Sequence, residues 1–303
     1  MNQHTPFSYA FIIILLSSFP LLGADETAGD LNAASFKKKT FAALSERVSS
    51  RRGDEALALN TVVWEHGESD HFIFHTETGF SASQLASVAE WAYTAIKKDL
   101  QITEDSFERK AHIYVFLNPE VWIRFAQQGK LDVRTGGWCT GRELFIHSRP
   151  HFKFQGSTLP HEITHLVAHR FLGGDLPLWL NEGLAEFEGI RCYRGYLKAR
   201  NYQLVGVPDR LERSRYIPLK DLTSALDYPR DAAAISAFYI ESHRLVAFLY
   251  YECGGMEPLM RFVKQQCAGA RFETALREVY GSTGRDIDEF EKKFRFFLTK
   301  SKE

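Results

Sequence analysis

The chain has 303 residues, is 45% apolar and 14% aromatic, and carries 37 Lys and Arg against 38 Asp and Glu, for a formal charge of -1. That composition supplies a packed core for one large domain or two unequal lobes and excludes a disordered chain. The balanced charge gives no overall field that would draw the chain to nucleic acid or an anionic membrane, so its partner has to be read from a site.

The apolar run Phe11 to Leu16 continues through Phe19 and Pro20 to Leu22 and ends in Gly23-Ala24, just before Asp25 and Glu26. It is short for a membrane span, and small residues precede the acidic pair. Residues 1–24 therefore resemble a secretory signal peptide cut after Ala24, which predicts an exported protein, periplasmic or extracellular, with no stable membrane span after cleavage. No Lys or Arg precedes the run, and an uncleaved N-terminal anchor would have the same appearance. Cys139, Cys192, Cys253 and Cys267 allow two disulfides in any of three pairings, or four buried thiols. None forms a Cys-x-x-Cys pair, which argues against a structural zinc ribbon.

Residues 25–60 are polar, and the spacing of Phe36, Phe41, Leu44 and Val48 predicts an amphipathic helix in a peripheral arm, helical or flexible. A strand-like run at Phe72-Ile73-Phe74 follows, then a helix from Ser81 to Leu100 and a buried strand from Ala111 to Leu117. Asn118-Pro119 opens a further helix. Gly136 to His147 reads as a hairpin, with Gly141 near its turn and Leu144-Phe145-Ile146 returning. Beyond Ser157 the pattern is helical, with breaks at Gly173-Gly174, Gly254-Gly255 and Gly281. The Arg- and Lys-rich stretch Arg191 to Arg215 reads as a solvated connection. The fold class is α+β, with a mixed N-terminal sheet lobe over 61–156 and a mainly helical lobe over 157–297.

The chemistry concentrates in His161-Glu162-Ile163-Thr164-His165. On a helix, residues four apart are offset by about 40° and about 6 Å, so both imidazoles project from one face and can share an ion. Neutral imidazole nitrogen suits zinc, and Glu162, on an adjacent side, can activate a water without being a ligand. A third protein ligand is needed while one position stays open. His169 lies two turns beyond His161 and cannot share its ion, and Phe171 stands where a metzincin needs its third His. Past the Gly173-Gly174 break, Leu178 to Phe187 (LWLNEGLAEF) places Glu182 and Glu186 four apart on a second helix. There Glu182 can ligate a metal while Glu186 hydrogen-bonds the far nitrogen of a ligand histidine.

HEITH followed by PLWLNEGLAEF resembles the gluzincin pattern, most closely the peptidase MA-like proteins, and the order of elements extends the resemblance over most of residues 61–297. It implies a thermolysin-like zincin fold with one zinc ion on His161, His165 and Glu182. It further implies Glu162 as general base, Glu186 behind a ligand histidine, and an edge strand in GGWCTGRELFIH that aligns a peptide or protein substrate. Tyr239 or His243, four apart in a stretch read as helical, is the expected oxyanion donor. The function so implied is that of a secreted zinc metallopeptidase. Two alternatives stay open: a catalytically quiet zinc-containing binding module, and a zinc hydrolase of a non-peptide amide or ester.

Overall fold

The computed structural model describes residues 9–10, 36–47, 50–59, 61–79, 81–104, 109–133, 135–148, 157–201, 216–281 and 283–300. The remaining residues of the leader, with its cleavage point, lie outside these, as does Val48.

The described strands are β1 (Tyr9–Ala10), β2 (Lys37–Lys39), β3 (Trp64–Glu68), β4 (Phe72–Glu77), β5 (Ala111–Phe116), β6 (Gly137–Thr140) and β7 (Glu143–His147). They form one sheet in the order β1-β6-β7-β5-β4-β3-β2. Strands β4, β5 and β7 run parallel, and the outer pairs are antiparallel. The central strand β5 is buried at every position because both faces are covered, the situation that selects a continuous apolar run. Period-two alternation sends Ile113, Val115, Leu144 and Ile146 to one face, against α2 (Ala82–Asp99). It sends Tyr114, Phe116, Phe145 and Trp138 to the other, where Trp122 and Phe125 of α3 (Pro119–Gln128) pack. Pro119 sits in the first turn of α3, and the Asn118 side chain caps it by accepting from the Glu120 amide.

The C-terminal part is helical: α4 (Thr158–Phe171), α5 (Leu178–Ala199), α6 (Leu219–Thr223), α7 (Ala232–Tyr251), α8 (Met256–Cys267), α9 (Phe272–Tyr280) and α10 (Ile287–Lys300). Helix α5 lies between α4 and α7, and two glycines permit it. A Cβ on Gly183 would stand 2.4 Å from the Ser242 carbonyl oxygen of α7, and one on Gly189 would stand 3.1 Å from the His161 amide nitrogen of α4. Gly183→Ala is expected to destabilise the protein by about 1–3 kcal/mol, because the obstacle is backbone that cannot rotate away. On the same helix, the nearest atom to a Cβ on Gly195 is 3.9 Å distant. Gly195→Ala is expected to be neutral or stabilising by up to about 1 kcal/mol, and denaturant unfolding of the two variants measures the contrast.

Two expectations are corrected. No single helix spans Phe36 to Leu44: Lys37–Lys39 pairs with the open edge of β3, a 3-10 turn follows at Phe41–Ala43, and α1 comes later at Arg51–Leu57. Phe36 packs against Phe74 at 5.8 Å while Phe41 lies over His66 and His75 on the opposite face, so their spacing serves two surfaces rather than one helical stripe. Gly67 leaves the notch that admits the Phe36 ring. The stretch from Arg191 is not simply a solvated connection either, because α5 continues to Ala199. There Arg191 pairs with Asp99 at 3.3 Å and lies 4.6 Å over the Tyr250 ring. Residues 202–215 are outside the described set.

Strand β1 falls inside the stretch read as a leader, and pairs antiparallel with β6, Tyr9 opposite Cys139 and Ala10 opposite Trp138. A chain cut after Ala24 lacks β1 and has the outer edge of β6 open. Among the described residues no helix is long and apolar enough to cross a membrane. The four cysteines are free thiols, Cys139 and Cys192 buried.

Candidate metal centre

Helix α4 begins where Pro160, which has no N–H to satisfy, fits its first turn. Its next turns carry His161, Glu162 and His165, all buried between α5 and the sheet. The Nε2 atoms of His161 and His165 face each other at 3.0 Å, and Oε2 of Glu182, on α5, lies 3.6 Å from each. Among the described residues this is the one His/Cys/Asp/Glu group whose ligand atoms all lie within 4.8 Å of one another. Zinc bonds of about 2.0–2.1 Å in tetrahedral array put ligand atoms about 3.3–3.4 Å apart, so the donor triangle has the dimensions zinc requires.

Neighbouring groups fix the orientation of these atoms. Asn181 places Oδ1 3.1 Å from His165 Nδ1, where that nitrogen donates and leaves Nε2 with its lone pair toward Glu182. Glu186 Oε1 stands 3.8 Å from His161 Nδ1, an ion-pair separation rather than a hydrogen bond. Tyr228, in the loop between α6 and α7, donates its hydroxyl to Oε1 of Glu182. Sequence reasoning assigned no role to Asn181 or Tyr228. Asn181 had a local signal, since it directly precedes Glu182, whereas Tyr228 is 46 residues away and had none.

Of the two expected oxyanion donors, Tyr239 is buried on α7 beside Tyr228, ring centroids 6.0 Å apart. Burial raises its hydroxyl pKa and the Glu182 charge adds to the rise, while a hydrogen bond with Tyr228 opposes it. His243, one turn further on, packs against Phe187 at 6.3 Å. His169 is exposed near the end of α4.

Glu162 is 1% exposed, and its Oε1 makes no hydrogen bond. It presses against β6 at Gly137, where an added Cβ would come within 2.6 Å of Oε1. Burial drives its pKa up to about 8; His165 opposes the rise, and Glu182 and Glu186 add to it. For Glu182 burial acts upward, but His165 and His161 prevail and bring it to about 2. Burial lowers His161 to about 4. For His165 burial also acts downward, yet Glu182, Glu162 and the Asn181 bond together raise it.

No protein-family profile matches the sequence, and no curated protein matches it. Among solved structures the chain is similar to native yeast LTA4 hydrolase, with a TM-score of 0.46 and 17% identity over 74% of this chain and 37% of that one. The chain thus spans well under half of that protein's length, and a likeness at this level carries no argument about activity.

Proposed function

We propose that the protein is an exported zinc-dependent metallopeptidase of the gluzincin, peptidase MA-like kind, with His161, His165 and Glu182 holding one zinc ion and Glu162 acting as general base. The observation that carries the proposal is the buried donor triangle of two imidazole nitrogens and a carboxylate oxygen, with edges of 3.0, 3.6 and 3.6 Å. Two neutral nitrogens and one carboxylate are a donor set suited to catalytic zinc. When bound, zinc supplies a Lewis acid that acidifies water and polarises a carbonyl.

The chain's own residues do the rest. Glu162, buried and outside the triangle, is the carboxylate that would take a proton from water and return it to a departing amine. Asn181 keeps His165 in the tautomer that ligates. Tyr239, buried on α7 beside Tyr228, is assigned as oxyanion donor in preference to His243, which packs against Phe187. Strand β6 backs directly onto Glu162 at Gly137, so an extended peptide lying along β6 would pass the base. Tyr9 and Ala10 pair with that edge in the antiparallel register such a peptide would adopt. The export part of the proposal rests on the Phe11 to Leu22 run.

The test combines metal analysis of the purified protein with digestion of a broad peptide library. About one zinc per chain and cleavage abolished by a chelator and restored by zinc are expected. A chain that retains no zinc after loading and dialysis overturns the proposal. Zinc retention without peptide cleavage, but with ester or amide turnover, replaces the peptidase by a hydrolase of another substrate.

A further inference from the structure

Glu182 meets the proposed metal position with one oxygen and a tyrosine with the other. Its Oε2 lies 3.6 Å from both histidine nitrogens and makes no hydrogen bond, while Oε1 accepts from the Tyr228 hydroxyl. In the loop that carries Tyr228, Leu226 is 86% exposed, whereas Tyr228 packs against the core. The ring is seated on α7, stacked with Tyr239 at 6.0 Å and 22° and set edge-on to Phe238 at 6.1 Å and 74°.

We propose that Tyr228 is a positioning residue of the metal centre, which by occupying Oε1 of Glu182 restricts that carboxylate to one-oxygen ligation through Oε2. The inference rests on the zinc reading above and adds a device to it. A carboxylate free to swing can offer both oxygens to a cation, and the second would take the coordination place that a hydrolytic site must keep for water. An O–H to carboxylate bond is charge-assisted and short, which suits it to holding the group against that swing. A phenol has one proton to donate, and here it is directed at Glu182, which separates the role of Tyr228 from the oxyanion role assigned to Tyr239.

Tyr228→Phe tests this, because it keeps the ring that packs on Tyr239 and removes only the hydroxyl. Zinc affinity is measured by chelator competition on the parent, Tyr228→Phe and Glu182→Ala, and the visible absorption of the cobalt(II)-substituted proteins is recorded for each. The expected result is zinc binding about 10–100-fold weaker in Tyr228→Phe than in the parent, as for other partners of metal ligands. The cobalt bands should also lose intensity, as four-coordinate geometry gives way to a higher coordination number. Parent-like affinity and an unchanged cobalt spectrum in Tyr228→Phe, with affinity lost in Glu182→Ala, overturn the role of Tyr228 alone. A parent that binds no zinc, and no more than Glu182→Ala does, overturns the metal reading and this inference with it. A refolding check by circular dichroism accompanies each variant, and Tyr228→Trp, which retains a ring and a donor displaced from Glu182, should share the weakened affinity.

Discussion

Glu162→Gln is expected to lower hydrolysis by about 10²–10⁴-fold while leaving the zinc content of the protein unchanged. The substitution preserves shape, so the contact with Gly137 survives, and it removes only the capacity to take a proton. Glu162 lies outside the triangle formed by His161, His165 and Glu182, which is why metal retention and turnover should separate in this variant. In Glu182→Ala they should fall together, because an oxygen that faces both imidazole nitrogens at 3.6 Å is lost. Zinc per chain and initial rate on one peptide substrate, measured on the same preparations, decide the matter. A glutamine variant that cleaves as fast as the parent removes Glu162 from the role of base. One that also loses its zinc shows that the carboxylate belongs to the ligand set.

The parts of this arrangement that could be read from the chain are those fixed by short-range periodicity. Two histidines four apart on a helix share a face whatever surrounds them, and α4 carries His161 and His165 in that way. The mixed α+β class also followed from local texture, since a short continuous apolar run marks Ala111–Phe116 and a 3.6-residue spacing of apolar positions marks Ala82–Asp99 without tertiary information. What could not be read depends on contacts distant in sequence. The strand at Lys37–Lys39 exists because β3 offers an unpaired edge and Gly67 a notch for Phe36, and neither condition is visible in the arm itself. Tyr228 is a single aromatic residue in a loop until Glu182 is placed beside it. Three histidines in separate strands give no pattern until the register sets His66 opposite His75 and Ile73 opposite His112.

Those three histidines lead to the second large effect. His66 Nδ1 lies 2.9 Å from His75 Nδ1, and His75 Nε2 lies 2.9 Å from His112 Nδ1, a chain of imidazoles running across β3, β4 and β5 under the ring of Phe41. His75 and His112 are buried, and the far nitrogen of His112 makes no hydrogen bond. Burial holds all three below the ordinary histidine value, His75 far below it with His112 and His66 adding, and His112 down to about 4. Around His112 the charges are of both signs, with Arg142 and Arg109 lowering its pKa and Glu46 and Glu68 raising it, so burial decides. Below the unfolded value of about 6.5, the unfolded chain takes up protons that the folded chain refuses, and stability falls as the pH drops toward the folded value. For His112 alone a displacement from 6.5 to about 4 corresponds to roughly 3 kcal/mol. Glu188 and Glu241, which burial raises to about 8, act in the opposite sense, their contribution being present below the carboxylate range and lost as the pH rises through about 8. They remain in any histidine variant, so a difference between two proteins cancels them. His112→Phe keeps a ring stacked on His75 and removes the titrating group. Between about pH 7.5 and about pH 4 the parent should lose roughly 3 kcal/mol more unfolding free energy than the variant, measured by denaturant titration of both. A gap that stays constant over that interval would mean that the buried imidazole takes up its proton in the folded protein as readily as in the unfolded chain.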